Sequence, residues 1–197
     1  AFTDAKTDKR GLIFEANEGT LFLDEITDLP YSLQAKLLRA LEEKAVRPLG
    51  DTVLYPLDVR FVSASGKDLK ALIQQGLFRE DLYYRLRVID IEMPPLRNRR
   101  EDIPLLVQFF LQKFNGEMKK NIAGLSEETH RLLLNYSWPG NVRELENAVQ
   151  RAVILARQPF LLPEDFPPAL IETADGDLVE KGLREKMTLD QLAKEYI

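Results

Sequence analysis

At 197 residues the chain can hold one or two domains and is long enough to bury a proper core. Its 27 Lys plus Arg stand against 32 Asp plus Glu, a formal net charge of −5, which denies this segment the electrostatic footprint of a nucleic-acid wrapper. The lack of cysteine excludes a disulfide framework or thiolate zinc site, and no stretch has the apolar length of a bilayer span or the form of a secretory signal, so a cytoplasmic segment with no membrane attachment is expected.

The sequence opens on Ala1 inside what reads as a motif, so it is taken as a piece of a longer protein. Residues 1–10, AFTDAKTDKR, place Phe2 among small and basic residues, either as a frayed end or as a contact tip. Leu12, Ile13 and Ala16 predict a short helix before the stretch GTLFLDEI, residues 19–26. There the apolar run Thr20 to Leu23 fits a strand covered on both faces in a parallel sheet, ending in Asp24 and Glu25. Ligands of open α/β sheets bind at the carboxyl edge of the strands, where Asp24 can serve Mg²⁺ and Glu25 can orient and deprotonate a water attacking a γ-phosphate. The bland alternative is an acidic start to a polar loop.

Pro30 at a first-turn position and leucines at 33, 37, 38 and 41 predict a scaffold helix over Tyr31 to Glu43. Residues 44–57 read as a hairpin-like insertion with a Gly50-Asp51 turn. Asp58 to Ser65 is a second strand candidate, whose terminal hydroxyl at Ser65 either senses a γ-phosphate or simply forms a turn. A short helix follows from Gly66-Lys-Asp-Leu and closes at Gly76. In FREDLYYRL, residues 78–86, Arg79 and Arg85 lie about 240° apart on a helix and cannot form one clamp within the chain. Either Asp81 pairs with Arg85 four residues on, or one or both arginines reach a neighbouring subunit's nucleotide as arginine fingers. Val88 to Met93 is a third strand candidate, stopped by Pro94-Pro95.

From Leu96 onward only helices are predicted, which marks a domain boundary. Asp102 caps the first helix, whose buried face carries Ile103, Leu106, Val107, Phe110 and Phe114; Ser126 caps the second. The single histidine, His130, lies on a solvated face of that second helix rather than at a metal. The third helix follows Trp138-Pro-Gly, with Asn141 and Glu144 at capping-box spacing and Val142, Leu145, Val149, Ala152, Val153 and Ala156 on one face. Arg143 in its first turn opposes the helix dipole, which is ordinary variation or the mark of a phosphate bound there. Residues 157–186 read as a linker or loosely packed tail.

Taken in order, AFTDA, GTLFLDEI, LQAKLLRALEE, DVRFVSAS, FREDLYYRL, PPLRNRREDIPLL and WPGNVRELENAVQRAVIL resemble the central AAA+ domain of sigma-54-dependent bacterial transcription activators, the enhancer-binding proteins related to nitrogen regulator C. The resemblance covers roughly residues 1–170. It implies an α/β P-loop NTPase-type parallel sheet, with its first strands and P-loop not in this sequence, followed by an all-α lid. Residues 1–94 are then the last part of the α/β subdomain, 95–170 the lid, and 171–197 a linker toward a helix-turn-helix DNA-binding domain. By the same resemblance Asp24 serves magnesium, Glu25 the attacking water, Arg79 and Arg85 act in trans, and Arg143 meets the nucleotide phosphates. Phe2 and Thr3 end a GAFTGA loop that touches sigma-54. The implied cofactors are ATP and Mg²⁺, and the implied partners are sigma-54 RNA polymerase, further copies in a hexameric or heptameric ring, and DNA.

Two positions depart from the family pattern: Asp4 replaces the second Gly of GAFTGA, and Ser65-Gly66 stands where the family has Thr-Asn. Without a P-loop this segment alone is expected hardly to bind ATP. A degenerate AAA+ scaffold and an AAA+ remodeller of another client are the competing readings.

Overall fold

The computed structural model describes residues 11–47 and 53–171. The chain divides into two compact units between Ile91 and Glu92. In the first, α1 (Leu12–Glu15) leads into β1 (Thr20–Leu23), which pairs in parallel with β4 (Arg60–Ser63), Leu23 standing opposite Ser63. Between these strands lie α2 (Tyr31–Glu43) and a two-rung antiparallel ladder of β2 (Ala45–Val46) with β3 (Tyr55–Pro56). The predicted insertion hairpin thus has its two arms; its Gly50-Asp51 turn lies outside the described residues.

Helix α2 begins at Tyr31, with Pro30 at its N-cap in a non-helical conformation (ψ 139°) rather than in the first turn, and stops at Lys44 in the left-handed region, φ 46°. Two short helices follow, α3 (Leu69–Gln74) and α4 (Glu80–Leu86). Asp68 caps α3 by accepting from the N–H groups of Lys70 and Ala71, and Gly76, φ +70°, ends it where a side chain would be strained. Ile26, Leu37, Phe78, Leu82 and Tyr83 form the core of this unit.

Three expectations are corrected here. Strand β1 is not covered on both faces: Leu21 and Leu23 are half-buried, whereas Thr20 and Phe22 are exposed, because no described residue packs on the second face. Val88 to Met93 forms no strand. Arg87 bridges back to Asp90 through Nε (3.0 Å) and Nη2 (2.7 Å), a turn geometry that leaves the backbone without a ladder partner. On α2 the buried stripe runs through Gln34, Leu37 and Ala40, while Leu33 is 41 % exposed.

The second unit packs α5 (Asp102–Met118), α6 (Glu127–Asn135) and α7 (Asn141–Leu155) around Val107, Phe114, Leu133, Trp138, Leu145 and Val149. It is not purely helical. A parallel rung joins β5 (Gly124–Leu125) to β6 (Phe160–Leu161), extended by hydrogen bonds from Ala123 N–H to Pro159 O and from Ser126 N–H to Leu161 O. Nor are residues 157–171 a loose tail, since Leu161, Phe166 and Leu170 are buried in this core. Asp102 lies inside the first turn of α5, 3.7 Å from Arg99, and makes no cap; Ser126 does cap α6, accepting from Thr129 N–H. Trp138, buried with φ 48°, donates its indole N–H to Leu133 O and sets its ring edge-on to Tyr136. Lys120 closes the carboxyl end of α7, its ammonium donating to the carbonyls of Val153, Ile154 and Ala156.

Among the described residues no helix is long and apolar enough to cross a membrane. The chain's single tryptophan sits in the core of the second unit, so its fluorescence reports that unit. Leu145→Ala removes a fully buried side chain there and should cost about 2–5 kcal/mol. A urea titration followed by Trp138 emission is expected to show the midpoint fall accordingly.

Candidate functional site

The acidic pair sits in a turn that the backbone strains to make. Glu25 adopts φ 46°, ψ 54°, a left-handed conformation that a non-glycine residue holds only where its surroundings over-determine it. They do so here. Past the β1–β4 ladder, Ala64 N–H donates to Leu23 O (2.9 Å), and Ile26 N–H returns a bond to Ala64 O (3.0 Å). A single 3-10 turn, Ile26–Asp28, then closes with Asp28 N–H on Glu25 O (2.8 Å). The Glu25 carboxylate accepts from Gly66 N–H at 3.1 Å, and Asp24 Oδ1 accepts from Glu25 N–H at 3.2 Å. Both acidic side chains are exposed at the carboxyl end of β1.

Lys67 pairs with Asp28 at 2.6 Å beside this turn. Hydrogen bonding to Asp28, then the charges of Asp28 and Glu25, hold its ammonium above the usual lysine range. Ser65 closes a small turn: its hydroxyl donates to Lys67 O and accepts from Lys67 N–H.

The two arginines of FREDLYYRL are held differently. Arg79 stands before α4 in extended conformation, not within it, and forks onto Asp81 through Nε–Oδ1 (3.0 Å) and Nη2–Oδ2 (2.6 Å). Its guanidinium also lies 5.8 Å from the centre of the Tyr31 ring. This fork replaces the expected Asp81–Arg85 pair, because Arg79 meets the same carboxylate with two bonds. Arg85, exposed in the last turn of α4, instead donates to Leu41 O at 3.1 Å.

Arg143 lies in the first turn of α7, exposed, with no hydrogen bond or ion pair to any described residue. The capping box expected there is rearranged. Asn141, φ 53°, turns its carbonyl oxygen to Leu96 N–H (2.8 Å), while Glu144 accepts from Gly140 N–H (2.7 Å) and from the Tyr136 hydroxyl (3.2 Å). Burial first, then the Glu144 carboxylate, pushes the Tyr136 phenol up from its usual range. Phe2, Thr3 and Asp4 lie outside the described residues.

Reading α2 as plain scaffold misses one residue, Gln34. It is fully buried and hydrogen-bonded to both flanks of the unit: Nε2 donates to Leu29 O (3.0 Å) and Leu77 O (3.1 Å), and Oε1 accepts from Arg79 N–H (2.9 Å). The signal was present, since position 34 shares a helical face with 37, 38 and 41.

Residues 1–92 match the model of the sigma-54 interaction domain, and residues 97–181 match that of the AAA+ ATPase lid domain. The chain belongs to the sigma-54 activator family of AAA+ proteins. It is 48 % identical over 170 residues to the regulatory protein AtoC of Escherichia coli (strain K12), covering 86 % of this chain and 37 % of AtoC. It is 50 % identical over 166 residues to the response regulator protein PilR of Pseudomonas aeruginosa, covering 84 % of this chain and 37 % of PilR. Among solved structures, NtrX from Brucella abortus in complex with ADP superposes with a TM-score of 0.79 at 34 % identity, over 91 % of this chain and 43 % of that one. The ATP complex of the same protein gives 0.77 at 32 % identity, over 94 % and 47 %. The chain therefore spans well under half the length of these curated relatives and carries an α/β AAA+ region followed by its lid.

Pairing with Arg79 holds the Asp81 carboxyl below its usual range. The clamp's stability contribution is therefore complete above the ordinary aspartate pKa, about 3.9, and is lost as pH falls through the depressed value. Carbon NMR titration of the Asp81 carboxyl should give a midpoint below the ordinary one, returning toward it in Arg79→Ala.

Proposed function

We propose that the protein carrying this chain is a cytoplasmic, ring-forming ATPase that couples ATP hydrolysis to remodelling of sigma-54 RNA polymerase. What supports this most is the Asp24–Glu25 turn, held open to solvent at the carboxyl end of a parallel strand by the end of its neighbour. In this reading residues 1–94 belong to the α/β motor, 95–170 to its lid, and 171–197 lead toward a helix-turn-helix domain that binds DNA. The names of the relatives, regulatory protein for AtoC and response regulator protein for PilR, favour control through a two-component system.

The donor set suits Mg²⁺ carried in with a nucleotide. No cluster of three acidic or histidine groups that could cage a metal occurs among the described residues, and Mg²⁺ in such sites takes one or two carboxylates, with waters and phosphates filling the rest. Asp24 is the carboxylate for it, and the ion supplies charge neutralisation on the phosphate oxygens. Glu25, with Oε2 held by Gly66 N–H, aims the attacking water and accepts its proton on the other carboxylate oxygen. Arg79 and Arg85 from an adjoining copy, and Arg143 from the lid, place positive charge where the transferred phosphoryl group develops negative charge. Ser65 reaches a phosphate only by giving up its turn with Lys67. Phe2 and Thr3 carry the contact with sigma-54.

One observation favours a non-hydrolysing scaffold instead: Gly66 supplies no side-chain amide to orient water. The two readings part in the full-length protein. Glu25→Ala should lower ATP turnover by about 10²- to 10⁴-fold while nucleotide binding persists, and should abolish open-complex formation by sigma-54 polymerase. Open complexes formed at the unaltered rate by Glu25→Ala would favour the scaffold.

A further inference from the structure

We propose that Gln34 is a positioning residue that ties the acidic turn to Arg79, so that the state of one protomer's nucleotide site sets the arginine it presents to the next. The proposal rests on the reading of Arg79 as acting in trans. The primary amide of Gln34 is fully buried, yet three of its four hydrogen-bonding positions are used, one on Leu29 and two on the main chain of residues 77–79. One proton goes to Leu29 O, at the end of the 3-10 turn that begins on Glu25; the other goes to Leu77 O. The oxygen takes the N–H of Arg79 itself. Between the last two anchors Phe78 is 2 % exposed, and the N–H groups of Leu77 and Phe78 both converge on Leu72 O, so the segment before Arg79 has little freedom of its own.

The guanidinium is referenced to the same helix. Tyr31, one turn before Gln34 on α2, lies under it, and an open hollow of about 390 Å³ lined by Tyr31, Phe78, Arg79 and Asp81 leaves that group facing outward. At the other end of α2, Leu41 O holds Arg85. Helix α2 therefore works as a rod. Its first turn is joined to the acidic turn and to Arg79, and its last turn to Arg85. A shift of the Glu25 turn moves Leu29, and through the buried amide moves the Arg79 backbone, since breaking any of the three bonds leaves the buried amide of Gln34 short of a partner.

A merely structural amide predicts a loss confined to the altered subunit, and mixed rings separate the two cases. In the full-length protein, Gln34→Met keeps the shape and removes all three bonds. After assembly and thermal melting have been checked, its ATP turnover should fall about tenfold or more, with KM changing less than about threefold. Rings co-expressed from Gln34→Met and Glu25→Gln chains should then turn over more ATP than the two homomeric rings account for, because the Glu25→Gln subunit lends a well-placed Arg79 to the intact Glu25 of its neighbour. Arg79→Ala with Glu25→Gln is the companion pair. Gain in both pairs supports the proposal. Gain with Arg79→Ala but not with Gln34→Met, or wild-type turnover by Gln34→Met alone, overturns it. No gain with Arg79→Ala refutes action in trans, and the proposal falls with it.

Should Gln34→Met fail to assemble, Gln34→Glu takes its place. A buried carboxyl stays protonated, keeping the acceptor toward Arg79 and one donor. Turnover between those of wild type and Arg79→Ala, with gain on mixing, supports the link; wild-type turnover or no gain on mixing overturns it.

Discussion

The parallel register of β1 on β4 is the constraint from which the site follows. Leu23 opposite Ser63 puts the ends of the two strands level, so the next bonds, Ala64 N–H to Leu23 O and Ile26 N–H to Ala64 O, cross between the turns that follow the strands. Those bonds hold Glu25 in a left-handed conformation that its side chain disfavours, and they set it beside Gly66. A slip of one residue would reverse which side chains face the core and separate the carboxylate from the amide that holds it.

The cations are held with graded strength, and this matters more than their number. Arg79 is forked onto Asp81, Arg85 makes one bond to a carbonyl, and Arg143 meets no described partner. Exposed ion pairs contribute little net stability, because water and salt compete for both partners. The Arg79–Asp81 fork is therefore no structural strut. On the proposed reading it is a parking place, since an incoming polyphosphate, with more charge and the same bidentate geometry, is a better acceptor than Asp81. What the fold fixes firmly is the backbone that carries Arg79, through a buried amide, and not the exposed end of the side chain.

Much of this was legible in the sequence. An unbroken apolar run into two carboxylates gave β1 and its turn; proline and a leucine stripe gave α2 to the residue; Ser126 gave the start of α6. Illegible were the features decided by partners distant in sequence. Val88 to Met93 has a strand's composition, but composition supplies no ladder, and the local Arg87–Asp90 fork bends it. Asn141 has the spacing of a capping box, yet Leu96 N–H, 45 residues away in sequence, claims its side chain. Gln34 shares the buried face of α2, but its partners at Leu77 and Arg79 lie 43 and 45 residues away, so the helix's own sequence does not name them.

Gly66 bears on whether the acidic turn can function. The side-chain amide found at this position in the family is missing, but the main-chain N–H that remains lies 3.1 Å from Glu25 Oε2. A Cβ at residue 66 would stand 3.3 Å from Glu25 Oε1, closer than ordinary van der Waals contact, so any side chain here forces the carboxylate to shift by a few tenths of an ångström. Glycine thus trades a mobile amide for a closer approach to a fixed one. A main-chain donor has no rotamers to lose on binding, so it orients the carboxylate at lower entropic cost than a long side chain does. The carboxylate is thereby kept at the strand end with its second oxygen free of that bond, which is the geometry that the proposed role of Glu25 as general base needs before its water arrives.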